Sequence, residues 1–467
     1  MQLIKITRFS ALLAFAVFPF LRLNAQENAP FSRYGLGDVY PSQNIVTRGM
    51  GGAAVTYFHD QAINSVNPAS YSSMRYVKLY GGSKGALISY DIGISIDART
   101  LLSNEPANSY HSTNFIPSYI HLGIPLSSKA DERKRNVGLV FGLKPATRIN
   151  YSVQKIERTS IDSMRTLYEG KGGMNQVFAG LGKKLGNLSI GVNGGYEWGR
   201  KQIGTKINFL NDTVGYYSSN SAEKTDYWGL YLMPGVAYNL KLSEITRKNY
   251  SYSEAIFLRL AGSGTFSHSL KATSDSLRET YANDANTGTR PIDTIYYVNK
   301  IEGKINIPIT YNVGIQLTKK YIVGKEAVAS KWSVNAEYSA GKWSDYRFYG
   351  KADDRLIDSW MFRVGGEMIP TVTSTRLWNR ATYRLGYYTG VDYINADGNK
   401  YKVHAFTLGF GFNIKKWTSY DNQSTFVNTA IEFGKRGSNA NNITENFFKL
   451  SVGFSLADLW FTRRKYE

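Results

Sequence analysis

Apolar and small residues alternate with a period of two along most of the chain. Between Tyr401 and Lys415, Phe406, Leu408, Phe410, Phe412 and Ile414 fall on one face, and Ala405, Thr407, Gly409, Gly411 and Asn413 on the other. Successive strand side chains point to opposite sides, so this is the signature of a strand and not of a helix. The same alternation sets Phe448, Leu450, Val452, Phe454 and Leu456 against Lys449, Ser451, Gly453, Ser455 and Ala457. It also sets Val137, Leu139, Phe141 and Leu143 against Gly138, Val140, Gly142 and Lys144. About fourteen such stretches follow one another, near residues 76–98, 113–126, 136–157, 163–185, 188–209, 224–241, 254–280, 293–317, 331–348, 357–370, 378–390, 401–416, 424–435 and 445–459.

In a soluble sandwich the second face would meet water as charged and β-branched residues. Here it is mostly Gly, Ser, Ala and Asn, which suits a crowded, wet interior. The pattern predicts an all-β protein, a transmembrane antiparallel β-barrel of about 14 strands with apolar residues toward lipid and small residues toward a lumen. Closure also removes the edges that so many apolar strands would expose. The alternative is a soluble β-sandwich array outside the cytoplasm. An even strand count places both barrel ends on the periplasmic side. Several stretches exceed what a membrane strand needs and are expected to rise above the bilayer as hairpins.

Composition narrows the classes further. The 467 residues include no cysteine, which excludes a disulfide scaffold, a thiolate metal site, a cysteine nucleophile and an N-terminal lipoprotein anchor. No stretch beyond the N-terminus runs to about 18 apolar residues, so a helical membrane protein is excluded. Hydrophobic residues at 42% and aromatics at 14% exclude disorder. The formal net charge is +20, with charged loops at Ser128–Asn136, Lys241–Tyr250 and Asp275–Arg290. That excess suits contact with outer-membrane lipids and lipopolysaccharide phosphates; a merely solvated loop surface accounts for it equally. It does not suggest nucleic acid in an exported barrel.

Lys5 and Arg8 precede an apolar run from Phe9 to Leu21 and the sequence Leu23-Asn24-Ala25, which predicts a signal peptide over 1–25 with cleavage before Gln26. An N-terminal membrane anchor is the alternative. Residues 26–73 precede the first strand, are rich in glycine and carry turn signals at Pro41 and Asn64–Pro68. A barrel of about fourteen strands is too wide for strand side chains alone to fill, so this segment is expected to lodge in the lumen as a hatch, with the barrel formed by 74–467.

The stretches Arg48-Gly49-Met50-Gly51-Gly52-Ala53 and Asn67-Pro68-Ala69 resemble the hatch of the FadL/TodX-type outer-membrane transporters of long-chain fatty acids and hydrocarbons. Ile307-Pro308-Ile309-Thr310-Tyr311-Asn312-Val313-Gly314, Phe362-Arg363-Val364-Gly365-Gly366-Glu367 and Tyr383-Arg384-Leu385-Gly386-Tyr387-Tyr388 are similar to later strand pairs of that family. Phe31-Ser32-Arg33-Tyr34-Gly35-Leu36-Gly37-Asp38 and the ending Asp458-Leu459-Trp460-Phe461 resemble its Bacteroidota version, which includes PorV-type proteins of type IX secretion. The resemblance implies a bacterial outer-membrane channel for hydrophobic small molecules, passive and gated at Gly49, Gly51, Gly52, Asn67, Pro68 and Ala69. The alternative it carries is an interaction partner of secretion-system proteins. The chain departs from the usual aromatic barrel terminus by continuing to Tyr466-Glu467, which suggests an insertion signal upstream. It also places Arg259, Glu337, Arg363, Glu367, Arg380, Arg384 and Glu432 on the inferred lumen face. Such charges must be paired or wet, and a greasy ligand would then need a pocket elsewhere.

No enzyme or cofactor signature emerges. Gly81-Gly82-Ser83-Lys84-Gly85 fits a nucleophile elbow in letters only, because Leu87–Ile96 reads as a strand where a helix is required. His59, His111, His121, His268 and His404 have no metal-ligand spacing, and Gly180-Leu181-Gly182-Lys183-Lys184 lacks the pattern of a phosphate loop.

Overall fold

The computed structural model describes residues 29–74, 76–78, 84–104, 107–126, 137–159, 162–210, 216–246, 253–284, 288–323, 326–371, 374, 376–396, 398–415 and 424–460. The expected signal peptide, Gly81–Ser83 of the elbow-like run and the Ser128–Asn136 loop lie outside them.

Fourteen antiparallel strands close into one barrel. They are β1 (Lys84–Asn104), β2 (Ala107–Pro125), β3 (Val137–Arg158), β4 (Ser163–Leu185), β5 (Leu188–Phe209) and β6 (Ser218–Thr246). β7 runs as Ser253–Thr265 and His268–Asp284, and β8 as Gly288–Ile307 and Thr310–Val323. Each is one bent strand, because β6 pairs with both runs of β7, from Thr246↔Ser253 to Ser218↔Tyr281. β9 (Glu326–Gly341), β10 (Ser359–Met368), β11 (Thr382–Val391), β12 (Lys402–Lys415), β13 (Ser424–Arg436) and β14 (Ile443–Trp460) complete the wall. β14 pairs with β1 from Ile443↔Ser103 to Trp460↔Ala86, which closes the sheet.

The two faces separate as the alternation requires. Phe406 is 63% exposed on the outside while its neighbour Thr407 is fully buried inside. Phe433, Leu385, Leu230 and Val334 are likewise exposed. A soluble sandwich would bury these side chains in a shared centre; a barrel in lipid presents them to acyl chains. Exposed Trp198, Trp228 and Trp360 lie toward one rim and Tyr238, Trp378 and Trp460 toward the other, as aromatic girdles do at the two interfaces. The wall is that of a membrane-spanning β-barrel.

β3, β4, β5 and β6 span 22, 23, 22 and 29 residues, against the ~9–11 that cross a bilayer. Their surplus stands beyond the rim opposite the chain ends as a ribbon continued by β7 and β8. Residues 29–74 lie inside the barrel and supply much of its buried apolar volume: Ile45, Met50, Val55, Ala69 and Tyr71 are almost wholly shielded.

Candidate functional site: an occupied lumen beside an unzipped seam

Asn44 caps the four-residue helix Ile45–Arg48, accepting from the Thr47 N–H at 3.0 Å. Gly51 and Gly52 follow with φ of 68° and 77°, a left-handed region that glycine enters without a Cβ penalty. The Met50–Gly51 peptide then lies flat on the inner wall where Gly365 pairs with Gly386. A Cβ at Gly365 would stand 2.5 Å from Met50 C, and one at Gly386 2.8 Å from Gly51 Cα. A Cβ at Gly409 would likewise stand 2.9 Å from Gly49 Cα. The glycines of the small-residue face are thus seats for inner backbone.

The Asn67-Pro68-Ala69 turn begins a 3-10 helix, Pro68–Ser73, and Asn67 Oδ1 accepts from the Ala69 N–H at 3.0 Å. Asn67 Nδ2 donates to Val55 O at 2.8 Å and to Val236 O on β6 at 3.3 Å. Pro68 has no N–H to satisfy at this dry contact. Gly191 of β5 and Gly235 of β6 leave room for it: a Cβ would meet Ala69 N at 2.6 Å and Pro68 Cδ at 2.7 Å.

The lumen charges grip this segment and do more than pair across the wall. Glu337 Oε2 accepts from the Ala54 and Val55 N–H groups at 2.6 and 2.7 Å, and its other oxygen lies 3.6 Å from Arg363. Arg363 also donates to Ser339 Oγ. Arg259 donates to Thr56 O and to Gln316 Oε1, both at 3.0 Å, and stacks over Phe58. Glu432 accepts from Arg48 Nε at 2.7 Å. Arg384 bridges Glu367 at 3.1 Å and Asn428 at 3.1 Å. Arg380 stands apart, in the short turn Trp378–Arg380 that precedes β11.

Three further contacts stitch the segment across the β1/β14 junction. Asp91 accepts from Ile63 N and from Ser455 Oγ, both at 2.9 Å. Arg48 donates to Ser95 Oγ at 2.9 Å, and Ser95 meets Ser451 of β14 at 2.9 Å. Higher up, Arg99 joins Asp38 at 2.9 Å, Asp97 at 2.7 Å and Glu445 at 3.2 Å. Arg436 joins Asp38 at 2.9 Å and Asp392. Burial alone would raise the Asp38 carboxyl, but the Arg436 and Arg99 guanidiniums outweigh it and hold that group well below the usual carboxylate range.

On the other side of β1 and β2 the wall is open. β2 and β3 pair at only six positions, from Pro125↔Gly138 to Ile120↔Leu143, whereas β1 and β2 pair at sixteen. Pro117 on β2 and Pro145 on β3 stand just beyond the parting, and neither has the N–H that a continued ladder would use. The inner segment substitutes for the missing strand by pairing Asp38 and Val39 with Arg148 and Thr147 of β3. Between them opens a cavity of about 790 Å³ lined by Ile116, Tyr119, Ile120, Leu143, Lys144 and Trp198, among others. Among the described residues no group of three or more His, Asp or Glu is placed to hold a metal ion.

The interior charges and the hatch-like glycines were visible in sequence. Arg48 and Asp38 were read only as motif residues and Arg99 and Arg436 not at all, because a charge in a motif or strand carries no sign of a distant partner. The seam did leave a signal, two prolines inside strand patterns.

Together the fold and its filled lumen define a FadL-type outer-membrane barrel. The chain belongs to the BamG family, whose model matches residues 4–467. No curated protein matches the chain. Among solved structures it is similar to the CymD monoaromatic hydrocarbon channel, at 13% identity with a TM-score of 0.51, covering 91% of this chain and 99% of that one. It is also similar to a Pseudomonas aeruginosa FadL homologue, at 11% identity with a TM-score of 0.50, covering 90% and 98%.

Proposed function

We propose that this protein admits small hydrophobic molecules through the outer membrane by a lateral route, the seam between β2 and β3. The observation that carries the reading is the parting of those strands at Ile120 and Leu143, with a cavity there whose wall is apolar at Ile116, Ile120, Leu143 and Trp198 and charged at Lys144, Arg148, Arg200 and Asp226. The central lumen offers no comparable path, since residues 29–74 fill it and ion pairs hold them there. Partition supplies the driving force, and the hatch residues Gly49, Gly51, Gly52 and Asn67–Ala69 set how far the segment yields. The chain has no cysteine, so Leu143→Cys gives a single thiol at the seam, half exposed on the outer face. Attaching a bulky apolar maleimide there should lower uptake of a labelled fatty acid or of toluene into proteoliposomes several-fold. Unchanged uptake after complete labelling rules the route out.

A second reading, an interaction protein serving protein secretion, is favoured by the protruding ribbon, where Tyr217, Ile295 and Tyr297 are 60%, 67% and 60% exposed. Cells lacking the protein that keep normal hydrocarbon uptake and lose surface proteins would decide for it.

A further inference from the structure

The seam cavity is positively charged. Its lining carries Lys144, Arg148 and Arg200 against a single carboxylate, that of Asp226. Arg200 takes up Asp226 at 2.5 Å, with Lys224 at 3.6 Å on its other side, so the lining keeps the charges of Lys144 and Arg148 in excess. Asp38, which pairs with Arg148 in register, directs its carboxylate to Arg99 and Arg436.

Lys144 is the buried member of that excess, at 8% exposed. The last rung of the β2/β3 ladder joins Ile120 to the outward-facing Leu143, and Lys144 is the next residue of β3, facing inward. Among the described residues no carboxylate pairs with its ammonium, which stands over the Phe178 ring, 5.8 Å from the centroid. Glu197, whose field reaches Lys144, is already bound by His268 Nε2 at 2.9 Å and by Gln176. A buried ammonium is costly unless an anion matches it. No side chain of the wall supplies one.

The surroundings describe the molecule that would. Trp198, of the aromatic girdle on the ribbon side, lines the cavity, which sets it at the head-group level of the leaflet on that side. In a barrel whose ends are periplasmic, that leaflet is the outer one. Toward the bilayer centre the outer face beneath the cavity is apolar, with Ile120, Phe141 and Leu143 exposed. A lipid with its head group in the cavity would lay its acyl chains along these three. Two positive charges in excess match a phosphate monoester, which carries about −1.5 to −2 near pH 7, better than a singly charged carboxylate or phosphodiester.

We propose that the seam cavity holds the phosphomonoester head group of an outer-leaflet lipid, the chemistry that lipopolysaccharide presents, with Lys144 and Arg148 on the phosphate. The site stands on the cavity's own charges and holds whether or not solutes pass the seam.

Native mass spectrometry of the purified, detergent-solubilised protein with lipid A tests this, with phosphate-free lipid A, palmitate and inorganic phosphate as comparison probes. Lipid A should bind at least about tenfold more tightly than any of the three, and Lys144→Met should weaken its binding about tenfold, the size of one lost charge-assisted contact. Lys144→Arg should retain it. Lys351→Met, which removes an exposed positive charge elsewhere, should leave it unchanged, which separates a site from attraction to net charge. Heat-modifiable migration in gels reports whether each variant still forms the barrel, and Arg148→Gln replaces Lys144→Met if the latter does not. Phosphate-free lipid A, palmitate or inorganic phosphate binding as tightly as lipid A, unchanged binding by folded Lys144→Met, or an equal loss in Lys351→Met would each overturn the proposal.

Discussion

Replacing Gly386 with alanine tests the idea that strand glycines are seats for the inner segment. The added Cβ would lie 2.8 Å from Gly51 Cα and against the Gly51 nitrogen, where carbon contacts need about 3.5–4.0 Å. The Met50–Gly51 peptide must therefore retreat by about 1 Å. Its retreat takes the Gly51 N–H away from Thr407 Oγ1, now 2.8 Å distant. Overpacking of this kind costs about 1–3 kcal/mol, and a buried donor left unpaired costs a similar amount. A loss of only about 2 kcal/mol, taken entirely by the docking of the segment, makes its release roughly 30-fold more frequent, since each 1.4 kcal/mol is a factor of ten. Hydrogen exchange in micelles reads this directly: amides of Gly51–Val55 should exchange faster by about that factor while the barrel strands stay protected. Gly204→Ala, with nothing within 4 Å of the new methyl, is the control. Unaltered exchange at Gly51–Val55 in a folded Gly386→Ala barrel would refute the seating argument.

Three other changes probe the grip on the segment and the seam. Glu337→Ala strands the Ala54 and Val55 N–H groups in a dry site and should loosen that turn by about 1–3 kcal/mol per donor, whereas Glu337→Gln, which keeps one acceptor, should do less; thiol labelling of Ala54→Cys in each background measures it. Because the Asp38 carboxyl is held low by Arg436 and Arg99, its stabilisation is complete above the unfolded value of about 3.9 and fades only as pH falls through the lower folded value. Protection at residues 36–40, with the intrinsic pH dependence of amide exchange divided out, should therefore not change through the Asp38 carboxyl from pH 7 to about 4 in the native protein, and should be lower at every one of those pH values in Asp38→Asn. Pro117→Val with Pro145→Val supplies the two missing donors and should extend the β2/β3 ladder, seen as new exchange protection at residues 144–147 together with reduced hydrocarbon uptake.

The barrel was legible because its determinant is local. The period of two in Ala405–Ile414 and Phe448–Leu456 sorts residues into a lipid face and a lumen face with no knowledge of neighbours, and each of the fourteen alternating stretches corresponds in order to one wall strand. The bends that divide β7 near Phe266 and β8 near Pro308 were not separated, since the alternation runs through both. The site was legible in part. Small residues at Gly365, Gly386 and Gly409 showed that something crowds the interior, yet their partners, Met50, Gly51 and Gly49, lie hundreds of positions away. The charges Glu337, Arg363 and Glu432 were visible as anomalies on a lumen face. Their acquaintance with backbone N–H groups and with Arg48 depends on three-dimensional closure, which no spacing encodes.

The arrangement of these contacts bears on how a lateral route and a fixed plug coexist. The inner segment is fastened across the β1/β14 junction at three heights, through Asp91, Ser95 and Arg99. It is fastened again at β9–β13, through Glu337 and Glu432. At the seam it is held by the pairing of Asp38 and Val39 with β3, by the Tyr40 N–H to Ala146 O at 2.9 Å, by Thr147 Oγ1 donating to Leu36 O at 2.6 Å, and by a bond between Tyr40 Oη and Ser118 Oγ. A solute passing between β2 and β3 needs the strand substitute at residues 38–40 to yield, and with it the Asp38 pairs to Arg99 and Arg436, while the turns at Gly51 and Asn67 can remain seated. Opening the central lumen would instead require breaking the buried Arg48–Glu432 pair and both bonds to Glu337 together. Removing one partner of a buried ion pair alone costs about 3–5 kcal/mol. A side entrance therefore calls on one group of buried pairs, those of Asp38, whereas a swinging central gate calls on the Arg48–Glu432 pair and both Glu337 bonds at once.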